Sequence, residues 1–382
     1  MKKKYIILIV IIIIIVIESF SWTFLKYFEY RNNWEHRTGF WKEDSVLGWY
    51  NKPLYEGIVR GFDFTAHYKS DSRGFRHSPY QSKSDASIIF IGDSFLQGCE
   101  VDNDEVFTAL MQKERPEKLI NAGVRGYGTD QEYLLLRRII NSDTKYVFIM
   151  FSINDLKDII NGNRDSKFPA KPVFLPDNDT LNLYFPDEDL PTQEVGHTFS
   201  EQENPSHFTY RVSEIMKNIL YCSAVYRIIT SSIQFTAMGK WLYEKNLMHI
   251  PDYMSYDWKL VSPDILDRAI PVWSILLDKI IEVCHDNECK PVLVIIPSTF
   301  QYQEQLVMQR EQLNKLYGFN MPIDSVMKRL KSIAVRKNIE VLYPIEEFRE
   351  QDAENSLTFK FDKHLNERGH VVMKNIIMEF LK

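Results

Sequence analysis

Residues 87–95 read SIIFIGDSF, and the rest of the chain takes its meaning from them. Five residues, four of them Ile or Phe, run without a polar interruption to Gly92. That is how a strand reads when both faces are covered, as in a parallel sheet under helices. Asp93 and Ser94 then fall at the carboxyl end of the strand, where open parallel sheets collect their functional residues. A serine on a tight turn there is placed as a nucleophile, its hydroxyl raised above the sheet and its amide free to donate. Taken alone, the same residues also describe a turn former or a helix cap.

Working outward, the rhythm repeats. Strands are expected at Lys118–Asn121, Tyr146–Phe151, Pro291–Ile296 and Glu340–Tyr343, with helices near 104–114, 129–141, 263–286, 322–337 and 366–381. Alternation of this kind predicts an α/β fold with a parallel sheet. The last helix carries Val372/Met373, Ile376/Ile377 and Phe380/Leu381 at the spacing of one buried face. Between the third and fourth strands, residues of about 160–262 break the pattern and form an insertion. Within it, 172–185 reads as a hairpin around Asp177-Asn178-Asp179, and Val212, Ile215, Met216, Ile219 and Tyr226 mark an amphipathic helix. Such an insertion over a sheet serves as a lid or a substrate platform, with Trp241, Tyr253, Tyr256 and Trp258 as either lid core or sugar-stacking surface.

The chain of 382 residues is 45% hydrophobic and 26% charged, a globular composition that excludes collagen-like and disordered readings. Its net charge of −6 leaves no global positive field to hold nucleic acid. Lys2, Lys3 and Lys4 precede an apolar run, Tyr5–Ile17, in which nine of thirteen residues are Ile. With its looser continuation to Leu25 it would span roughly 31 Å as a helix, enough to cross a bilayer. The leading lysines favour a cytoplasmic N-terminus, so the segment reads as a signal anchor that places the body outside the cytoplasm, periplasmic or at the cell surface. A signal peptide cleaved near Ser19–Ser21 is the alternative. The expected division is an anchor over 1–29, an irregular extension over 30–85 packed on the catalytic domain, and an α/β domain over 86–382.

Four cysteines allow three pairings, with Cys284 and Cys289 the favoured pair across a helix-to-strand turn; small buried hydrophobes are the alternative. No Cys/His spacing indicates zinc, and no metal or cofactor is called for.

Three further segments meet the sheet's carboxyl edge. After the second strand, NAGVRGYG (121–128) opens a helix at Thr129. Its glycines allow close backbone approach, and the Gly126 amide could face an oxyanion. The order G-x-x-G-x-G is a weak match to a dinucleotide loop, and a simple tight turn is the plain alternative. The third strand delivers Ser152-Ile-Asn154-Asp155, where Asn154 could give a further oxyanion hydrogen bond or act as a cap. Before the last helix stands FDKHLN (361–366). Asp362 and His364 are close enough in sequence for the carboxylate to fix the imidazole while the other ring nitrogen meets Ser94; a metal pair is the alternative, with no third ligand at recognisable spacing. His370 reads as packing or capping, and His197, His207, His249 and His285 are individually uninformative. Together these residues make up a complete acyl-transfer site.

In these blocks the chain resembles the SGNH/GDSL family of serine esterases and acyltransferases. GDSF is similar to the first block, NAGVRGYGTDQ to the second, SIND to the third and FDKHLNERGH to the last. The resemblance covers roughly 86–160 and 290–382, and VLGWYNKP and SDSRGFRH extend it to about residue 46. It implies a flavodoxin-like three-layer α/β/α fold with sheet order 2-1-3-4-5. It also implies Ser94, His364 and Asp362 as catalytic residues, and Ser94, Gly126 and Asn154 as the oxyanion hole. Two departures stand out: Ser152 where the third block usually has Gly, and D-x-H where the last block usually has D-x-x-H. The shorter spacing is similar to the alginate O-acetyltransferase branch and to membrane-anchored relatives. The expected function is therefore an extracytoplasmic esterase or deacetylase acting on O-acyl groups of a carbohydrate or related ester. The alternatives are a polysaccharide O-acetyltransferase supplied by a membrane-bound acyl donor protein, or a non-catalytic carbohydrate-binding or scaffold protein with a decayed site.

Overall fold

The computed structural model describes residues 2–32, 39–162, 169–177, 180–185, 220–233, 236–244, 247–248, 261–317 and 322–382. Five strands form one parallel sheet: β5 (Ser87–Gly92), β6 (Lys118–Gly123), β7 (Thr144–Phe151), β10 (Lys290–Ile295) and β11 (Glu340–Leu342). Their spatial order is β11-β10-β7-β5-β6, which is 2-1-3-4-5 counted along this sheet. The fold is α/β, with helices on both faces. β5 is buried along its whole length, which is why its sequence is apolar without alternation. Ile88 and Phe90 pack on one face with Phe107, Phe148, Val294, Met373 and Ile377, and the Phe90 and Phe148 rings stack at 4.9 Å. On the other face Phe151 meets Trp273 of the long helix Pro263–Asp286 at 5.4 Å. Burying side chains of this size stabilises the fold by about 1.5–3 kcal/mol each.

Register decides where the site lies. Gly92 pairs with Gly123 and with Met150, and Ile295 pairs with Phe151, so the central strands end together. Two of the glycines are there for space. A Cβ on Gly92 would come within 2.8 Å of the Met150 Cβ, and one on Gly123 within 2.4 Å of the Gln97 amide nitrogen. Gly123 thereby lets the turn after β5 sit directly against β6.

The extension is more regular than its sequence suggested. It forms two antiparallel hairpins, β1 (Trp41–Asp44) with β2 (Gly48–Asn51) and β3 (Glu56–Arg60) with β4 (Thr65–Lys69). In β4, Ala66 and Tyr68 are buried while Thr65 and His67 are exposed, the alternation of a one-sided ribbon. The hairpin expected in the insertion is present as β8 (Val173–Asp177) and β9 (Thr180–Tyr184), paired from Asp177 to Thr180. The helix expected through Val212–Ile219, the aromatics Tyr253, Tyr256 and Trp258, and His197, His207 and His249 lie outside the described residues.

The chain separates into two compact units. The larger comprises 34–197, 259–307 and 322–382; the smaller comprises 1–33, 198–258 and 308–321. The insertion is therefore shared between them. In the smaller unit the first helix, Lys2–Asn32, contains a stretch, Tyr5–Tyr27, long and apolar enough to cross a membrane. Its Glu18 carboxylate accepts hydrogen bonds from Ala224 N–H and, at 3.1 Å, from Ser223 Oγ, at the start of the helix Ala224–Ile233. Trp241, on the helix Ala237–Glu244, is about half exposed. None of the four cysteines is joined in a disulfide. Cys284 and Cys289 are not joined by a disulfide: both are buried, closer to the alternative reading of small core residues.

Candidate active site

At the end of β5, Asp93 turns the chain and its carboxylate accepts the Phe95 N–H at 2.9 Å, capping a single helical turn, Ser94–Gln97. As the first residue of that turn, Ser94 has an amide with no intrahelical acceptor. The side chain is 9% exposed, and its Oγ stands 2.7 Å from His364 Nε2.

His364 arrives from a loop folded back on itself. Phe359 N–H donates to the His364 carbonyl at 3.0 Å, and Lys363 N–H to the Phe359 carbonyl at 3.2 Å. Lys363 has φ 73°, a left-handed conformation that non-glycine residues rarely adopt. This single residue reverses the chain between Asp362 and His364, and the Asp362 carboxylate sits hydrogen-bonded against Nδ1. With the proton on Nδ1, that nitrogen donates to Asp362 and Nε2 accepts from the Ser94 hydroxyl. The Phe95 ring covers the imidazole at 4.9 Å, and Asn366 caps the following helix, Glu367–Phe380, by accepting the Gly369 N–H. The D-x-H spacing thus places the Asp362 carboxylate against His364 Nδ1.

A second acid stands beside the ring. Glu100, fully buried, places Oε1 3.4 Å from His364 Nδ1 and 2.6 Å from Arg125 Nη1. Nothing in the local sequence pointed to it. Burial works to lower the His364 pKa, but the charges of Glu100 and Asp362 outweigh it and hold the imidazole above its ordinary 6.5. Burial pushes the Glu100 carboxyl up, against the pull of His364 and Arg125. Glu100, Asp362 and His364 also offer ligand atoms within 4.8 Å of one another, which supplies the third metal-ligating group missing from the sequence reading. The Arg125 guanidinium already holds the Glu100 oxygen, so one of the three ligand atoms is committed to a side-chain cation.

The two remaining expected donors are placed differently. Gly126 is the third residue of a turn closed by Tyr127 N–H to the Val124 carbonyl at 3.1 Å, and its φ of 81° is the conformation that favours glycine there. This loop is braced by the extension. Trp49 Nε1–H donates to the Arg125 carbonyl, Asn51 Nδ2 to the Gly123 carbonyl and Tyr127 OH to the Trp49 carbonyl. Gln97 completes the brace: its Oε1 accepts the Arg125 N–H, and its Nε2 donates to Asn51 Oδ1 and Tyr68 OH. Asn154 reaches the same edge, with Ser152 Oγ 2.6 Å from its Oδ1. Its Nδ2 donates to Asp93 at 2.9 Å and to Asp158 at 3.3 Å. Donation to an oxyanion would require exchanging one of these, the longer being the weaker. Ser152 Oγ also lies 2.8 Å from Asp93 Oδ2, between that carboxylate and the asparagine amide.

Behind these residues lies a group of buried acids: Asp93, Asp130, Glu132, Asp155 and Asp158. Burial and mutual repulsion push Glu132 and Asp155 far above the usual carboxylate range. Asp130 is raised by burial in spite of an ion pair with the buried Lys171. His370, read as packing or capping, is buried against Phe107 with its ring stacked at 6.0 Å, and its pKa is pushed down to about 3 by burial.

The fold and this edge define an α/β protein with a serine, a histidine and an acid in hydrogen-bond sequence. No family model matches the chain, and no curated protein matches it. Among solved structures, it is similar to a member of the lipolytic protein G-D-S-L family from Veillonella parvula, at 12% identity over 77% of this chain and 97% of that one, with a TM-score of 0.36. An acetyl xylan esterase, AlAXEase, is similar at 13% identity over 78% of this chain and all of that one, with a TM-score of 0.35. A catalytic mutant of an acetylxylan esterase from Geobacillus stearothermophilus is similar at 14% identity over 78% and 95%, with a TM-score of 0.36.

Proposed function

We propose that the protein is a serine ester hydrolase that works through a covalent acyl-enzyme. One observation carries the reading: Ser94 Oγ lies 2.7 Å from His364 Nε2 while Asp362 holds the other ring nitrogen. His364 takes the Ser94 proton, and Oγ attacks the ester carbonyl. The Ser94 and Gly126 amides and the Asn154 side chain receive the negative charge, each such donor contributing about 3 kcal/mol. His364 then gives its proton to the leaving alkoxide, takes one from the water that attacks the acyl-enzyme, and returns it to Ser94 Oγ as the acid leaves.

The substrate class is the O-acyl group of a carbohydrate or related ester, which the four blocks imply through their resemblance to SGNH/GDSL enzymes. The helix Tyr5–Tyr27 supports anchoring in a membrane, with Lys2–Lys4 on the cytoplasmic side and the α/β body on the other. The full-length chain in detergent should be labelled stoichiometrically by a fluorophosphonate, and the Ser94→Ala variant should not. Absence of labelling in folded wild-type protein sinks the proposal. Water and a sugar hydroxyl would meet the same acyl-enzyme, so acetate release is measured with and without an acceptor oligosaccharide. Hydrolysis is supported by release that no acceptor alters; diversion of the acyl group onto the sugar would make the protein a transferase.

A further inference from the structure

We propose that Glu100 is a second acid for the His364 imidazole, a positioning residue that shares Nδ1 with Asp362; this rests on reading Ser94, His364 and Asp362 as a triad. The two carboxylates approach the same ring nitrogen from different parts of the chain, Asp362 from the imidazole's own loop and Glu100 from the segment after the first helical turn, 3.4 Å away. They also differ in fixity. Asp362 has a side chain 13% exposed on a surface loop, whereas Glu100 is fully buried and clamped by Arg125 at 2.6 Å. Arg125 is itself tied through its N–H to Gln97 and through its carbonyl to Trp49. An acid whose Oε1 is fixed by a core guanidinium presents a constant charge to Nδ1 and so favours the tautomer with the proton there.

Among the described residues, few charged and titratable groups lie around His364. Asp362 lies on its own loop, Glu100 follows β5's helical turn, and Arg125 comes from the loop after β6. Behind them are His370 of the last helix and Arg76, whose guanidinium stacks over Tyr68 at 4.4 Å and donates to the Val101 carbonyl. When the Ser94 proton reaches Nε2, the imidazolium faces two carboxylates, one of which Arg125 partly neutralises. Removing Glu100 takes away one of the negative charges that favour the protonated ring and leaves Arg125, which opposes it.

The experiment is a pH profile of kcat/KM for a small acetyl ester, using the full chain in detergent. The acid limb reports the free enzyme's base. In Glu100→Gln the limb moves to lower pH and kcat falls about tenfold, and Glu100→Asp restores part of both. Asp362→Ala loses about 10- to 10²-fold, well short of the roughly 10⁴-fold expected when the only acid is lost, and the double variant falls to the level of Ser94→Ala. An acid limb that stays in place in Glu100→Gln overturns the proposal, as does Asp362→Ala falling alone to the Ser94→Ala level. If Glu100→Gln has no cooperative melt, the Asp362→Ala result decides by itself. Turnover that survives Ser94→Ala would instead remove the triad reading; a silent Ser94→Ala beside an unmoved limb removes only the second acid.

Discussion

Replacing Lys171 by Met would leave Asp130 without its cation, in a region shared with the buried acids Glu132, Asp155 and Asp158. Both members of the pair are buried, so solvent cannot compensate. Breaking a buried pair by removing one partner destabilises by about 3–5 kcal/mol. The loss has a ceiling, because Asp130 can escape by taking up a proton. Relative to an unfolded carboxyl titrating near 3.8, each pH unit above that costs about 1.36 kcal/mol, hence about 4 kcal/mol at pH 7 and under about 2 kcal/mol at pH 5. The sign follows from the direction of the shift. With its folded pKa raised, Asp130 contributes stability that is full below the unfolded value and lost as pH rises through the folded one. The assay is urea denaturation of wild type, Lys171→Met and Lys171→Met/Asp130→Asn at pH 5 and pH 7. The single variant should lose about 2–3 kcal/mol more at pH 7 than at pH 5, and the double variant should recover most of that and show little pH dependence. Equal losses at the two pH values would refute the account of the buried pair.

His370 titrates well below its unfolded value of 6.5, so the stability it contributes is full above pH 6.5 and is lost by about 1.4 kcal/mol per unit as pH falls toward 3; melts of His370→Met should lack that slope. Ser152→Ala should free the Asn154 amide to turn and lower kcat by up to the 10²–10³-fold of a lost oxyanion donor, with a melting temperature shifted only slightly. Gly123→Ala forces a Cβ to within 2.4 Å of the Gln97 amide nitrogen, and should destabilise by about 1–3 kcal/mol or more and displace Ser94's turn, read as lost stability in urea and slower ester turnover.

How far the sequence could be read varied with the kind of signal. β5 was legible residue for residue, because burial on both faces leaves no ambiguity of period. The helices Thr129–Ile139, Pro263–Asp286 and Glu367–Phe380 were found within two residues of their ends. Glu304–Tyr317 and Ile345–Glu354 were missed, and each buries a single side chain, Leu313 and Phe348, among those described, too little to draw an apolar stripe. The extension hairpins were missed because four- and five-residue strands in an aromatic background carry little alternation. At the site, Ser94 stood out by its place at a strand end, and Asp362 and His364 by type and by their place before the last helix. Glu100 could not, since its partner is 264 residues away and neither neighbour in sequence marks it. Ser152 read as a defect because its use depends on Asp93 and Asn154 arriving from other segments.

The distance along the chain between Ser94 and His364, 270 residues, bears on the protein's biosynthesis. At about 5–20 residues per second, a ribosome would need roughly 14–54 seconds after finishing the hydroxyl to supply its base. On the proposed mechanism, the nascent polypeptide holds an inert alcohol throughout that interval, and reactivity begins only when the segment before the helix Glu367–Phe380 brings the imidazole into place.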